Sequence, residues 1–326
     1  MNSLKDYPVG LQEVMAAEKV VRPFLKETNL SFYQGLSDLI GAEVFVKHEN
    51  HNIGGSFKIR GGLNLMHHIR SRGITGVITF STGNHGISVA LAAKTFGIKA
   101  TVVVPTGNNP AKNAMIQGYG ARLIEQGQSF EEASTIVNQM SKDEGLYFVH
   151  AANEPHLING VGTEFLEIIR DLPSMDAVIL PIGAGSELSA ATVVLKAINP
   201  KIEIIAVQAE QSQAAYLSWH SGGIVQHSNR TFAGGFATGS GYALPFGIYK
   251  DSLSDFVLLS ESEIEAGMVN SLRYTRNLAE GAGAAPIQAA IKIRDKLQGK
   301  KVVLQMSGGN AELPNLKRAM EEVDFK

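Results

Sequence analysis

The chain has no cysteine, which excludes disulfides, thiolate zinc sites and thiol nucleophiles. It has no surplus of either charge: 29 Lys and Arg stand against 31 Asp and Glu. A nucleic-acid or membrane-surface partner calls for a basic excess, so none is expected. No apolar run reaches the ~20 residues of a membrane span. The opening Met1-Asn2-Ser3-Leu4-Lys5-Asp6 is polar and lacks a signal-peptide core. A cytoplasmic location is therefore expected. No internal repeat and no low-complexity segment is visible.

What the chain does have is glycine, 34 in 326 residues, much of it in short clusters directly after apolar runs. Such clusters let backbone amides approach a ligand. The length suits two domains or one large α/β domain. Apolar runs predict strands at Glu43–Lys47, Val77–Phe80, Ala100–Val104, Ala121–Ile124, Leu146–Val149, Ala177–Leu180, Glu203–Val207, Asp255–Leu259 and Val302–Gln305. Helical patterns fall between them, at 57–71, 85–96, 110–119, 129–143, 156–170, 186–198, 261–278, 284–297 and 314–322. This alternation indicates βαβ units and mainly parallel sheets flanked by helices, an α/β fold. Residues 211–250 show no clear period, and a long aperiodic stretch in a compact domain is usually functional or mobile.

In a parallel sheet, ligands bind outside the carboxyl ends of the strands, so loops there are candidates for one site. Ser56-Phe57-Lys58-Ile59-Arg60-Gly61-Gly62 puts a lysine beside an aromatic ring where a helical pattern opens. A desolvated lysine can be neutral and nucleophilic, able to form a Schiff base. A solvated structural lysine at a loop–helix junction is the plainer alternative. Ser81-Thr82-Gly83-Asn84-His85-Gly86 follows a strand and opens a helix. Its hydroxyls and amides suit a carboxylate or phosphate, or simply cap the helix. Gly183-Ala184-Gly185-Ser186-Glu187 could cradle a phosphate, or begin a dinucleotide fingerprint that lacks its third glycine at Leu188. Gly234-Gly235-Phe236 lies in the aperiodic stretch. Ser307-Gly308-Gly309-Asn310 follows the last strand and presents a hydroxyl toward the sheet edge, or is a plain turn. Glu280 is a carboxylate in a small, apolar segment, so it is either paired or functional.

In this order, the Schiff-base lysine, asparagine loop, mid-chain glycine loop and Ser-Gly-Gly-Asn segment resemble the fold-type II family of pyridoxal-phosphate (PLP) enzymes. That family includes tryptophan synthase β, the threonine and serine dehydratases and serine racemase. The resemblance runs from about residue 20 to 310. It is strongest to the dehydratase branch, through Ser56-Phe57-Lys58-x-Arg60-Gly61 and Ser81-x-Gly83-Asn84-His85. Glu49-Asn50-His51 and Glu280-Gly281-Ala282-Gly283 are also similar to dehydratase-like proteins of hydroxyectoine utilisation.

The resemblance implies a large PLP-binding domain from 1–75 and 151–326, and a small substrate-clamping domain from 76–150. It implies that Lys58 carries PLP and later acts as base at the substrate Cα, with Phe57 beside the ring. Asn84 would bond the phenolic oxygen. Ser81, Thr82 and the amides of Gly83 and His85 would hold the substrate carboxylate. Gly183, Ala184, Gly185 and Ser186 would bind the phosphate. Gly235 and Glu280 would line the cofactor, and Ser307 would meet the pyridine nitrogen. A neutral Ser there leaves the nitrogen largely unprotonated and the ring a weaker electron sink, which favours loss of a β-leaving group over transamination. The implied reaction converts a β-hydroxy-α-amino acid, such as threonine or serine, to a 2-oxo acid and ammonia.

Three departures bear on the substrate. Ile53-Gly54-Gly55 replaces the family's usual Pro-Thr-Gly, and Ala184, Ser186 and Glu187 interrupt its usual run of glycines. Thr82 stands where serine racemase has a catalytic serine, so racemisation is one alternative; a specialised substrate such as phenylserine, 3-hydroxyaspartate or a hydroxyectoine-derived amino acid is another. Gln208, Ser212 and Ala214 fall at the racemase branch's cation positions, so no metal is expected. The chain carries no extension after its last helix, so no isoleucine-type control is expected. A dimer or tetramer is implied by the resemblance. A non-catalytic binding protein or a nucleotide-dependent oxidoreductase would be the reading from another class.

Overall fold

Ten strands form two sheets in this computed structural model, which describes residues 4–127 and 130–322, with the side chains of Phe130 and Glu131 outside the description. The chain divides into two units. One comprises Met1–Leu25 and Lys58–Thr163, the other Lys26–Phe57 and Glu164–Lys326.

The larger unit carries a six-stranded sheet. Its strands are β1 (Leu30–Phe32), β2 (Glu43–His48), β7 (Ala177–Pro181), β8 (Glu203–Ala209), β9 (Asp255–Leu259) and β10 (Lys301–Met306). Their order is β1-β2-β10-β7-β8-β9, all parallel except the β1–β2 edge pair. The central strand β7 is buried along its whole length, as a parallel strand covered on both faces should be. The helix Gly281–Lys292 packs beneath it through a face of Ala and Ile.

The smaller unit carries β3 (Gly76–Phe80), β4 (Lys99–Val104), β5 (Arg122–Glu125) and β6 (Tyr147–Phe148), all parallel, in the order β5-β4-β3-β6. Helix Lys58–Ser71 belongs to this unit, as do Met1–Leu25 and residues 151–163, where the expected division was 1–75 with 151–326 against 76–150. Glycine is the reason. A Cβ on Gly61 would lie 2.6 Å from the Leu157 carbonyl oxygen, one on Gly62 2.4 Å from Ser88 Oγ, and one on Gly160 2.6 Å from the Arg60 carbonyl oxygen. The backbones of Lys58–Ser71 and Pro155–Val161 therefore touch where side chains would hold them apart. Asn64 Nδ2 donates to the His156 carbonyl (2.7 Å) and Arg60 Nη1 to Thr163 Oγ1 (3.1 Å), which completes the join.

Other differences from the expected elements have local causes. The expected helix 156–170 is two helices, Pro155–Val161 and Thr163–Asp171, broken at Gly162. The expected helix 261–278 is α-helical only over Glu261–Asn270. It then widens to a π segment, Ser271–Thr275, and ends on Arg276 in the left-handed region (φ 62°). Residue 129, the expected first residue of helix 129–143, lies outside the described residues.

Candidate active site

Both sheets reverse their strand order at one point, and ligand crevices open outside the carboxyl ends at such points. In the larger unit the chain winds outward from β7 to β8 to β9, while β10 returns to the other side of β7. The segments leaving β7 and β10 therefore emerge side by side. They are Ile182–Gly185 and Ser307–Asn310, two of the four glycine loops singled out from the sequence.

After β7, Gly185 caps helix Ser186–Ile198 with φ +93°, a conformation L side chains rarely adopt. The first-turn amides of that helix have no intrahelical acceptor, and the dipole favours an anion before them. Gly183 is needed for a different reason. A Cβ there would lie 2.0 Å from the Gly235 carbonyl oxygen. The two loops thus form one cradle whose floor only glycine allows. Ser212 secures its far side by donating to the carbonyls of Phe236 (2.8 Å) and Thr238 (3.1 Å).

After β10, Ser307 is buried, and its carbonyl accepts the Phe57 amide at 3.0 Å. Ser56 bridges Gly308, and the Glu280 amide donates to the Gly308 carbonyl (3.1 Å). A Cβ on Gly283 would lie 2.3 Å from that same carbonyl oxygen. Phe57, Glu280 and Ser307 are therefore gathered around one turn. Glu280 occupies the N-cap of helix Gly281–Lys292 and is half-buried.

In the smaller unit, β3 runs into Ser81-Thr82-Gly83, and helix Asn84–Phe96 begins at once. Ser81 Oγ accepts the amides of Gly83 (3.3 Å) and Gly86 (3.0 Å), so this hydroxyl serves the turn itself. Thr82 is exposed and Asn84 half-buried. His85 is buried; its Nε2 lies 3.1 Å from Thr79 Oγ1, which donates to the Val149 carbonyl (2.9 Å). Burial, then the nearby Lys58 charge, pushes His85 down to about 3, so it is a neutral imidazole at physiological pH. Lys58 opens helix Lys58–Ser71, and Ser88 Oγ donates to its carbonyl at 2.7 Å, tying it to helix Asn84–Phe96.

Lys58 is half-buried, and among the described residues Lys47 is the fully buried lysine. Lys47 Nζ donates to Glu167 Oε2 (2.7 Å) and the Thr28 carbonyl (2.8 Å), so it is taken up in a buried ion pair. At the positions where no metal was expected, Gln208 Oε1 accepts the Tyr216 amide (3.1 Å) and Ser212 holds the 236–238 turn. Among the described residues, no group of three or more His, Asp or Glu is arranged to hold a metal.

Comparison with known proteins decides the family. Residues 21–308 match the pyridoxal-phosphate dependent enzyme family.

The chain belongs to that family.

Its cofactor is pyridoxal phosphate, and the dinucleotide reading of Gly183-x-Gly185 falls away. The chain is 34% identical to the L-threonine ammonia-lyase of Thermotoga maritima over 96% of its own length and 79% of that protein's. Maize serine racemase superposes with a TM-score of 0.90 at 27% identity, covering 97% of this chain and 98% of that one. The processed threonine deaminase isoform 2 of Solanum lycopersicum superposes with a TM-score of 0.89 at 30% identity, over 95% and 91%. The residues fit such a cofactor: a cradle that a Cβ would fill, an adjoining helix N-terminus, and a buried serine on the neighbouring strand end. Sequence reading assigned no role to Asn310 or Thr79. Asn310 was visible only as the end of a glycine turn, and Thr79 only as a strand residue.

Proposed function

We propose that the protein is a dehydratase that eliminates water from a β-hydroxy-α-amino acid of the threonine and serine type, giving a 2-oxo acid and ammonia. The observation that carries this reading is the adjacency of β7 and β10. It brings the glycine loop at 183–186 beside Ser307, whose carbonyl accepts the amide of Phe57, the residue preceding Lys58. Relatives that carry the threonine ammonia-lyase and deaminase names support the substrate class.

In this reading Lys58 anchors the cofactor covalently through Nζ, and Phe57 flanks the ring. Gly183, Ala184, Gly185 and Ser186 receive the phosphate on backbone amides, with Gly235 closing the cradle and Glu280 lining the ring's edge. Asn84 donates to the phenolic oxygen, and Ser307 faces the pyridine nitrogen as a neutral partner. When bound, PLP draws electrons from the substrate Cα, and beside a neutral Ser it does so weakly enough to favour β-elimination.

The residues of the 81–85 turn orient the substrate carboxylate at a helix N-terminus. Lys58 Nζ would serve as the base that takes the Cα proton. Neutral His85, buried beside Lys58, adds no competing positive charge to that amine. The test is Lys58→Ala. It should abolish both the yellow absorbance of the lysine-bound cofactor and 2-oxo acid release from serine and threonine, by at least about 10³-fold. Full activity in that variant would refute the assignment.

Racemisation is a second reading, favoured by the exposed Thr82 hydroxyl and by the likeness to serine racemase. Product analysis separates the two. A lyase releases 2-oxo acid and ammonia, whereas a racemase only inverts Cα.

A further inference from the structure

We propose that Asn310 is a positioning residue for the cofactor-anchoring lysine, latching the segment that leads into Lys58 onto the turn that carries Ser307; this rests on the function proposed above.

The segment 52–57 has little intrinsic order. Gly54 and Gly55 both sit in the left-handed region, at φ +84° and +76°. Two consecutive glycines have the largest conformational freedom to lose on ordering. Where the segment leaves β2, a buried carboxylate holds it: Glu49 Oε1 accepts Thr28 Oγ1 (2.6 Å) and Oε2 accepts Asn52 Nδ2 (2.6 Å). The Gly55 amide then donates back to the Asn52 carbonyl at 2.8 Å.

Beyond that point the segment is stitched to residues 307–310. Asn310 Nδ2 donates to the Gly54 carbonyl (2.8 Å). The Gly309 amide donates to the Gly55 carbonyl (2.9 Å), and the Phe57 amide to the Ser307 carbonyl (3.0 Å). Asn310 supplies the side-chain member of this row. It also fills the space over Gly55, where an added Cβ would lie 2.4 Å from Asn310 Oδ1. With Gly54 and Gly55 both free to move, order is imposed from outside the segment.

The chemistry gives this latch a purpose. The aldehyde carbon and the ring nitrogen of PLP lie on opposite edges of one rigid ring. A protein that engages both must keep their two partners at a set spacing. Holding the segment before Lys58 on the carbonyl of Ser307 does so before the cofactor arrives. This is preorganisation, and it lowers the ordering cost of binding.

Asn310→Ala and the near-isosteric Asn310→Asp, which both lack the Nδ2 donor, test the proposal. In the cofactor-free proteins, hydrogen exchange should rise about tenfold in peptides covering 52–57 and 307–310 and stay unchanged over β7. Capture of added PLP, read as growth of yellow absorbance, should slow about tenfold. In the loaded enzymes kcat should fall while KM for the amino acid stays near the wild-type value. Unchanged exchange and capture, or faster exchange throughout the chain, would overturn it. Should neither variant fold, the wild-type protein decides. The amides of Gly55, Phe57 and Gly309 must exchange far more slowly than those of the exposed turn at Ser221–Gly222, and equal rates refute the latch. A wild-type protein that never captures PLP on a lysine sinks the proposed function instead, while the exchange measurement still decides the latch.

Discussion

Replacing Gly183 by alanine tests the phosphate cradle directly. The new methyl would sit 2.0 Å from the Gly235 carbonyl oxygen, where ordinary contact begins at about 3.4 Å, so one loop must retreat by more than an ångström. The Gly235 side cannot give cheaply, because Phe236 is fully buried and its carbonyl, with that of Thr238, is held by Ser212. Overpacking of this kind costs about 1–3 kcal/mol of stability. On the proposed reading, the displaced loop would also turn amides away from the cofactor phosphate. Losing one charge-assisted hydrogen bond costs about 1.5–3 kcal/mol, a roughly ten- to hundredfold weaker cofactor complex. Gly234 is the built-in control: it is exposed, and a Cβ there meets nothing within 4 Å. Titration of the cofactor-free proteins with PLP, followed by absorbance, should show weak binding for Gly183→Ala and near-native binding for Gly234→Ala. Wild-type affinity in Gly183→Ala, or equal damage in both, would refute the cradle.

Lys47→Met removes the cation from the buried ion pair with Glu167, and should cost about 3–5 kcal/mol in urea unfolding. The double variant Lys47→Met, Glu167→Leu should recover most of that loss. Burial raises Glu154 to about 7 from 4.5, so its native state holds a proton that the unfolded chain has already lost. That contribution is present below pH 4.5 and disappears as pH rises through 7. The stability of Glu154→Gln relative to wild type should therefore climb between pH 5 and 8, and a flat difference would contradict the shift. Burial lowers His85 and His156 to about 3 and His68, His48 and His150 to about 4. Unfolded histidines take up protons below about 6.5 while these do not. Stability should thus fall between pH 6.5 and 4, measured as a declining urea midpoint.

Much of the fold could be read from periodicity, because parallel strands buried on both faces are continuous apolar runs. Strands β7, β8, β9 and β10 lie within a residue or two of the expected ranges. What escaped reading was short or interrupted. Strand β1 has three residues and pairs only at an edge, too few to show alternation. The aperiodic stretch hides helices Ala214–Ser221 and Ala243–Tyr249, only eight and seven residues long, too short for a period to stand out. Gly162 and the π segment at Ser271–Thr275 break helices whose residue pattern runs on through them.

The same division holds for the site. Each candidate was legible as a short local pattern that the structure places at a helix start: Ser56-Phe57-Lys58 at one, Asn84 at another, Gly183 to Ser186 before a third. Such patterns survive in one dimension because helix N-termini and glycine turns are made by adjacent residues. The relation among the parts was not legible. Sequence could not tell that β10 returns beside β7, because strand order is set by which faces bury one another over separations of more than a hundred residues. Nor could it distinguish the buried lysine that is spent on Glu167 from the half-buried one that opens a helix, since a partner 120 positions away decides that. The sequence alone determined the local patterns: a lysine at one helix start, an asparagine at another and a glycine turn before a third. Tertiary packing alone decided that Ser307 lies beside the Gly183 cradle and holds the amide of Phe57, because only closure of the sheet brings those strand ends together.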